Sequence, residues 1–144
     1  MIVKQMLDKK GNEIWGVHPD ESVFEALKLM ADKNVGALLV LDGDELVGIF
    51  SERDYARKVV LLDKSSKNTP VREIMTSQVI CVSPNHTTDD CMGLMTDKRI
   101  RHLPILEDGR VAGVISIGDV VKAVISEQKM IIENLENYIT TGTL

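Results

Sequence analysis

Gly48-Ile49-Phe50-Ser51-Glu52-Arg53-Asp54 returns, at a constant offset of 65 residues, as Gly113-Val114-Ile115-Ser116-Ile117-Gly118-Asp119. Both stretches read glycine, two apolar residues, serine, two variable residues, aspartate. Working outward, residues 17–60 lie over residues 82–125 without a gap, with identical pairs such as Val17 and Val82, Pro19 and Pro84, Met30 and Met95, Lys33 and Lys98, and Leu38 and Leu103. Roughly a quarter of the aligned positions match outright and many others exchange one aliphatic residue for another, which marks one unit written twice.

Within each copy the apolar periodicity changes in a fixed order, and the unit reads β-α-β-β-α. In the first copy Pro19, Asp20, Glu21 and Ser22 supply turn and capping chemistry, after which Val23, Ala26, Leu27, Met30 and Ala31 recur at helical spacing. Asn34 to Gly36 ends that helix, Ala37 to Leu41 is a buried strand, Asp42 to Asp44 a hairpin turn, and Leu46 to Phe50 the return strand. The second copy repeats this with Glu107, Asp108 and Gly109 at its turn. The expected fold is therefore α+β: two β-α-β-β-α repeats packed sheet to sheet about a pseudo-twofold axis, with an extended C-terminal helix. The expected divisions are 1–62 for the first repeat with its N-terminal lead-in, 63–70 for a polar linker, 71–126 for the second repeat with its lead-in, and 127–144 for the helical extension.

A single copy of about fifty residues buries too little apolar surface to offset its chain entropy comfortably, so two must share a structure. A paired arrangement has equivalent clefts at its joint, and a cleft is where a ligand binds. Composition narrows the ligand. Hydrophobic residues are 44% of the chain, aromatic residues only 3%, and the formal net charge of -5 is spread over interspersed acids and bases. That balance argues for an aliphatic core and against direct binding of nucleic acid, which needs a large positive surface. The first residues, Met1 to Asp8, begin no apolar segment of signal or membrane-spanning length, so the expected location is the cytoplasm, without a membrane partner. Cys81 and Cys91 are too few for a disulfide framework and are expected reduced, Cys81 as a small buried hydrophobe in the run Val79 to Val82.

The doubled motif has a structural role and a binding role. Ser51 and Ser116 fall where a strand becomes a helix and can cap it, while Asp54 and Asp119 fall in the first helical turn, where a carboxylate suits the macrodipole. A carboxylate at that place can also accept both hydrogen bonds of a ribose diol, with the helix N-terminus beside it offering N–H groups to phosphate. Arg53 would strengthen a phosphate contact in the first copy, whereas its counterpart Gly118 offers only close backbone approach.

The doubled motif, the strand carrying Leu103, Pro104 and Ile105, and the Met75-Thr76 lead-in together resemble the CBS-domain family, whose tandem pairs are called Bateman modules. The resemblance covers nearly the whole chain. It implies a regulatory module, not an enzyme, that senses an adenine nucleotide such as AMP, ATP or NAD between its repeats and signals to a client protein. Asp54 and Asp119 become the ribose ligands, with Ser51 and Ser116 near ribose or α-phosphate and Arg53 on phosphate. Adenine is held by the opposite repeat: Val17, Val35, Gly36 and Ala37 serve the Asp119 site, and Cys81, Val82, Ile100 and Arg101 the Asp54 site. Arg101 and His102 lie where the family places basic phosphate contacts, while the first copy has Gly36 and Ala37 there. The alternatives are a ligand-independent dimerisation or docking module, or a detached regulatory subunit of an enzyme or transporter.

Other signals are weaker. Phosphate-loop spacings begin at Gly11, Gly43 and Gly113, but the lysine that must follow the second glycine is missing from each, and no dinucleotide GxGxxG occurs. His18, His86 and His102 stand apart without metal-ligand spacing, and Ser116, Asp119 and His102 form a loosely suggestive catalytic set that the repeat explains better. No catalytic cofactor or metal is expected. Beyond Asp119 an apolar stripe continues through Val121, Val124, Ile125, Gln128, Ile131, Ile132, Leu135, Tyr138 and Ile139. It needs a cover, either its own module or a second copy of the chain. The resemblance to pairs that dimerise into flat discs implies a homodimer.

Overall fold

A hydroxyl residue before the first long helix sets the frame of each half. In the computed structural model, which describes residues 1–142, Ser22 accepts the Glu25 N–H and caps α2 (Val23–Lys33), and Thr87 caps α4 (Thr88–Lys98) through Asp90. Both helices end on a left-handed residue, Asn34 and Arg99, each with φ 54°. Asparagine takes that conformation readily. Arginine does so only because the surrounding fold holds it there.

Strands β1 (Gly16–Val17), β2 (Ala37–Asp42) and β3 (Glu45–Ser51) form one sheet, with β1 parallel to β2 and β2 antiparallel to β3. In the second half β4 (His102–Glu107) and β5 (Arg110–Ser116) make the matching hairpin, and Val82 makes a single parallel bridge to Ile105 where β1 would stand. The two hairpins share the same burial pattern position by position, and both slip register at corresponding points, Val40/Leu41 and Ile105/Leu106. Their turns differ. Asp108 and Gly109 both have positive φ, as a type I′ turn demands, while in the first turn Gly43 takes positive φ before Asp44, in the manner of type II′.

Each half has its own aliphatic core. Val23, Ala26, Leu38, Val40 and Phe50 anchor the first, and Cys91, Leu103, Ile105, Ile115 and Val120 the second. Val17 and Val82, read above as adenine contacts, are members of these cores at 4% and 2% exposure. The sheets face one another closely enough that a Cβ on Gly36 would lie 3.6 Å from the His102 ring.

The lead-ins are exchanged. Helix α1 (Val3–Lys10), grouped by sequence with the first repeat, packs into the core of the second through Val3, Met6 and Leu7. Its first N–H groups donate to second-repeat carbonyls, Val3 to His86 at 2.8 Å and Lys4 to Pro84 at 2.9 Å. The second lead-in does the converse: Val71 and Ile74 join the first core, and Val71 and Arg72 donate to Glu21 and Pro19. This crossing explains the motif glycines. A Cβ on Gly113 would come within 2.7 Å of Leu7, and one on Gly48 within 2.6 Å of Met75.

The halves diverge after the motif. In the first, α3 (Glu52–Tyr55) passes into a π-helical turn at Ala56–Val60 and stops. In the second, α5 (Ile117–Thr141) runs for 25 residues. Only Val120 and Ala123 of α5 are buried, and from Gln128 onward every described residue is exposed, so the stripe does not fold back onto its own module. No described helix is long and apolar enough to cross a membrane.

Candidate functional site

Both Ser-Asp pairs form complete capping boxes. Ser51 accepts the Asp54 N–H while Asp54 accepts the Ser51 N–H at 2.9 Å, and Ser116 and Asp119 do the same at 3.2 and 2.8 Å. The capping role of the doubled motif is therefore realised in both halves. What distinguishes the two aspartates is their remaining surroundings.

Asp119 opens onto a cavity of about 350 Å³ between the sheets, a size suited to a small organic ligand. Val35, Gly36 and Ala37 of the first repeat form one wall, and His102, Ser116 and Asp119 of the second form the other. These six are all residues marked by the sequence. Lys10, Trp15 and Lys33, to which the sequence assigned no site role, also line it, with Lys33 Nζ 4.5 Å above the Trp15 ring. Lys10 reaches Asp119 Oδ2 and the Val114 carbonyl, each at 2.6 Å. Both partners of this ion pair are partly exposed, at 38% and 23%, so its contribution to stability is about 1 kcal/mol or less.

Burial pushes the Asp119 carboxyl up, but the hydrogen bonds from Lys10 and Ser116 and the Lys10 charge outweigh it and leave the group below the usual carboxylate range. The site therefore presents an ionised acceptor at neutral pH. His102 is shifted below its ordinary 6.5, first by burial and then by the Lys10 and Arg101 charges, with Asp119 opposing, so its ring is neutral there. Although Ser116, Asp119 and His102 share this cavity, Ser116 Oγ is committed to the Asp119 N–H, a helix cap and not a serine–histidine pair. Two of the first three N–H groups of α5 are already taken, Ile117 by the Arg101 carbonyl and Asp119 by Ser116, so less of the helix end is open to phosphate than the sequence suggests.

Asp54 is enclosed. It is 8% exposed, and besides its bonds to Ser51 its Oδ1 receives Thr76 Oγ1 at 3.2 Å and Lys58 Nζ at 3.1 Å. Arg53 crosses to the other repeat and donates to the Arg99 carbonyl at 2.8 Å. Cys81 is half-buried in irregular chain and not in a strand, because only Val82 of that run pairs with the sheet. Ile100 packs against the second core, and Arg101 is exposed. Cys91 is fully buried, and burial, helped by Asp90, pushes its thiol up to about 11. Among the described residues no cluster of histidine, cysteine and carboxylate side chains could hold a metal ion.

Two of the residues to which the sequence assigned no site role, Lys10 and Thr76, sit at the ends of the exchanged lead-ins. A signal for them existed: Val3-Lys4-Gln5-Met6-Leu7 and Val71-Arg72-Glu73-Ile74-Met75 share their pattern, but at an offset of 68, outside the gap-free alignment.

The CBS-domain family model matches residues 12–61 and 71–126. A mitochondrial CBS-domain protein of Arabidopsis thaliana is 43% identical over 137 residues, covering 92% of this chain and 66% of that protein. A solved structure from Burkholderia ambifaria, described as a signal-transduction protein with CBS domains, superimposes with a TM-score of 0.86 at 53% identity, covering 89% of this chain and 96% of that one. The CBS domain pair of protein MJ0100, solved in complex with 5′-methylthioadenosine and S-adenosyl-L-methionine, gives a TM-score of 0.78 at 26% identity and covers 88% and 98%. The doubled motif, the two facing hairpins and these matches agree, and the chain belongs to the CBS-domain family as a tandem pair of repeats.

Proposed function

We propose that the cleft at Asp119 binds an adenine nucleotide of the AMP, ATP or NAD type and that its occupancy is read by a partner protein, with no chemistry performed on the ligand. The observation that carries this reading is an ionised carboxylate of one repeat facing the strand start Val35-Gly36-Ala37 of the other across a cavity of about 350 Å³. Asp119 holds the ribose diol, Ser116 stands by the ribose or α-phosphate, and the backbone of Val35 to Ala37 holds the adenine. The ligands of the MJ0100 pair share an adenosine part, which supports the class. Because the walls come from different repeats, a ligand ties the halves together, and it shifts their arrangement only by its differential affinity for the two arrangements. In the first half, Ser51 and Asp54 with Cys81, Val82, Ile100 and Arg101 stand as a second, closed site, with Arg53 as its phosphate contact.

Adenine nucleotides are expected to raise the melting temperature of ligand-stripped protein while guanine and pyrimidine nucleotides do so less. A ligand at a hundred times its Kd stabilises the fold by about 2.7 kcal/mol. Calorimetry that detects no binding of any adenosyl compound would leave the docking-module reading in its place.

One observation favours self-association as part of the function. Val121, Ile125, Ile132, Leu135 and Ile139 stand 48–82% exposed along α5 at three-, four- and seven-residue steps. We infer that this stripe pairs with a second copy of the chain. Removing residues 127–144 is expected to lower the mass seen by light scattering while both repeats keep their circular dichroism. An unchanged dimer mass would assign the contact elsewhere.

A further inference from the structure

The two capped aspartates are closed off by different devices. Beside Asp54, Thr76 is stitched to Ile49 by two backbone hydrogen bonds of 2.9 and 3.0 Å, and its hydroxyl covers the carboxylate. Beside Asp119, the position corresponding to Ile49 is Val114, which pairs with Pro104 of β4, and among the described residues no lead-in backbone is stitched to its other edge. The Lys10 side chain instead takes both the Val114 carbonyl and Asp119 Oδ2. A backbone bridge leaves only if a segment of chain peels away. An ammonium at the end of a flexible four-carbon stem, itself 38% exposed, leaves by rotation about side-chain bonds.

We propose that Lys10 is a displaceable cation that makes the Asp119 cleft selective for adenosyl ligands carrying an anionic group on the 5′ carbon. The inference rests on the reading of Asp119 as the ribose ligand. A vicinal diol that donates two hydrogen bonds to one carboxylate needs both oxygens. Lys10 and the Ser116 N–H share Oδ2, and the Ser116 bond is fixed by the helix cap, so Lys10 is the group the second ribose hydroxyl displaces. Once displaced it needs a new partner, because a charge in a partly enclosed cleft is costly unless paired. A neutral nucleoside supplies none, and its ribose must compete with Lys10 for the carboxylate. A 5′-phosphate supplies one within the same cavity, where Lys33, 3.6 Å from Asp32, adds a second positive charge and Glu13 and Asp119 are the lining carboxylates. Lys10 thus penalises the neutral ligand and rewards the anionic one.

The test is calorimetric titration of the full-length protein and its Lys10→Met and Lys10→Arg variants with AMP and with adenosine. Wild type is expected to prefer AMP. Lys10→Met is expected to reduce the ratio of AMP to adenosine affinity by at least about tenfold, the effect of losing one charge-assisted contact, with adenosine bound as well as before or better. Lys10→Arg keeps the charge and should retain most of the preference. Lys10→Gln replaces the methionine variant should that fail to fold. A ratio within twofold of wild type in the neutral variant overturns the role of Lys10 while leaving the ribose assignment standing, provided Asp119→Ala loses both ligands. Failure of wild type to bind either ligand overturns both.

Discussion

Asp119→Ala is expected to weaken adenine-nucleotide binding about tenfold to a hundredfold, whereas Asp54→Ala is expected to cost stability and leave that binding in place. The motif is the same in both halves, so the difference comes from what surrounds it. Asp119 borders the open cavity and, besides the Ser116 N–H of its cap, is held by one partly exposed lysine, and loss of a charge-assisted ribose contact there costs roughly 1.5–3 kcal/mol of binding. Asp54 is buried, and its removal leaves the Ser51 N–H without its acceptor and takes a partner from the exposed Thr76 and from Lys58, which keeps its bond to the Ile74 carbonyl. Loss of the cap and of these hydrogen bonds destabilises by about 1–3 kcal/mol. Titration of each variant with AMP, paired with urea denaturation, separates the two effects. A folded Asp54→Ala protein that no longer binds, beside an Asp119→Ala protein that binds like wild type, would reverse the assignment of the open cleft.

Deleting residues 1–10 is expected to unfold the second repeat in preference to the first, although the deleted segment adjoins the first in sequence. Val3, Met6 and Leu7 are 0%, 4% and 6% exposed and lie in the second core against Cys91, Leu103 and Val120. Side chains of this kind contribute about 1.5–3 kcal/mol each when fully buried, so three of them together approach the whole stability of a small domain, about 5–15 kcal/mol. The bonds that Val3 and Lys4 make to His86 and Pro84 go with them. Cys91 reports the outcome: fully buried in the second core, it should resist a thiol reagent in the intact chain and react in the truncated one, with the partly exposed Cys81 as an internal reference. Continued protection of Cys91 after the deletion would show that the second core closes without α1.

Much of this architecture is legible in the sequence because it is built from short-range patterns. Ser22 before Val23 caps a helix wherever that helix finally packs, Asp108-Gly109 turns a hairpin by its own backbone preferences, and Gly-x-x-Ser-x-x-Asp forms the same cap twice. The repeat then forces two equivalent halves and a joint between them, and the CBS resemblance implies that Val35, Gly36 and Ala37 share a site with Ser116 and Asp119, which line one cavity in the structure. The exchange of the lead-ins was not legible. The apolar spacing of Val3, Met6 and Leu7 is the same whichever core receives it, and the receiving residues, from Val82 to Ala123, lie far along the chain. For the same reason the sequence separated the two clefts only through Arg53 against Gly118 and did not show which carboxylate is open. Their serine and aspartate positions match, and what decides access is supplied by distant segments: Thr76, held by its backbone to Ile49, sets its hydroxyl on one carboxylate, and the Lys10 side chain rests on the other. Local periodicity determined the elements, the caps and the doubling. Tertiary structure alone decided which core each lead-in completes and which carboxylate a ligand can reach, because both depend on contacts between residues the chain keeps far apart.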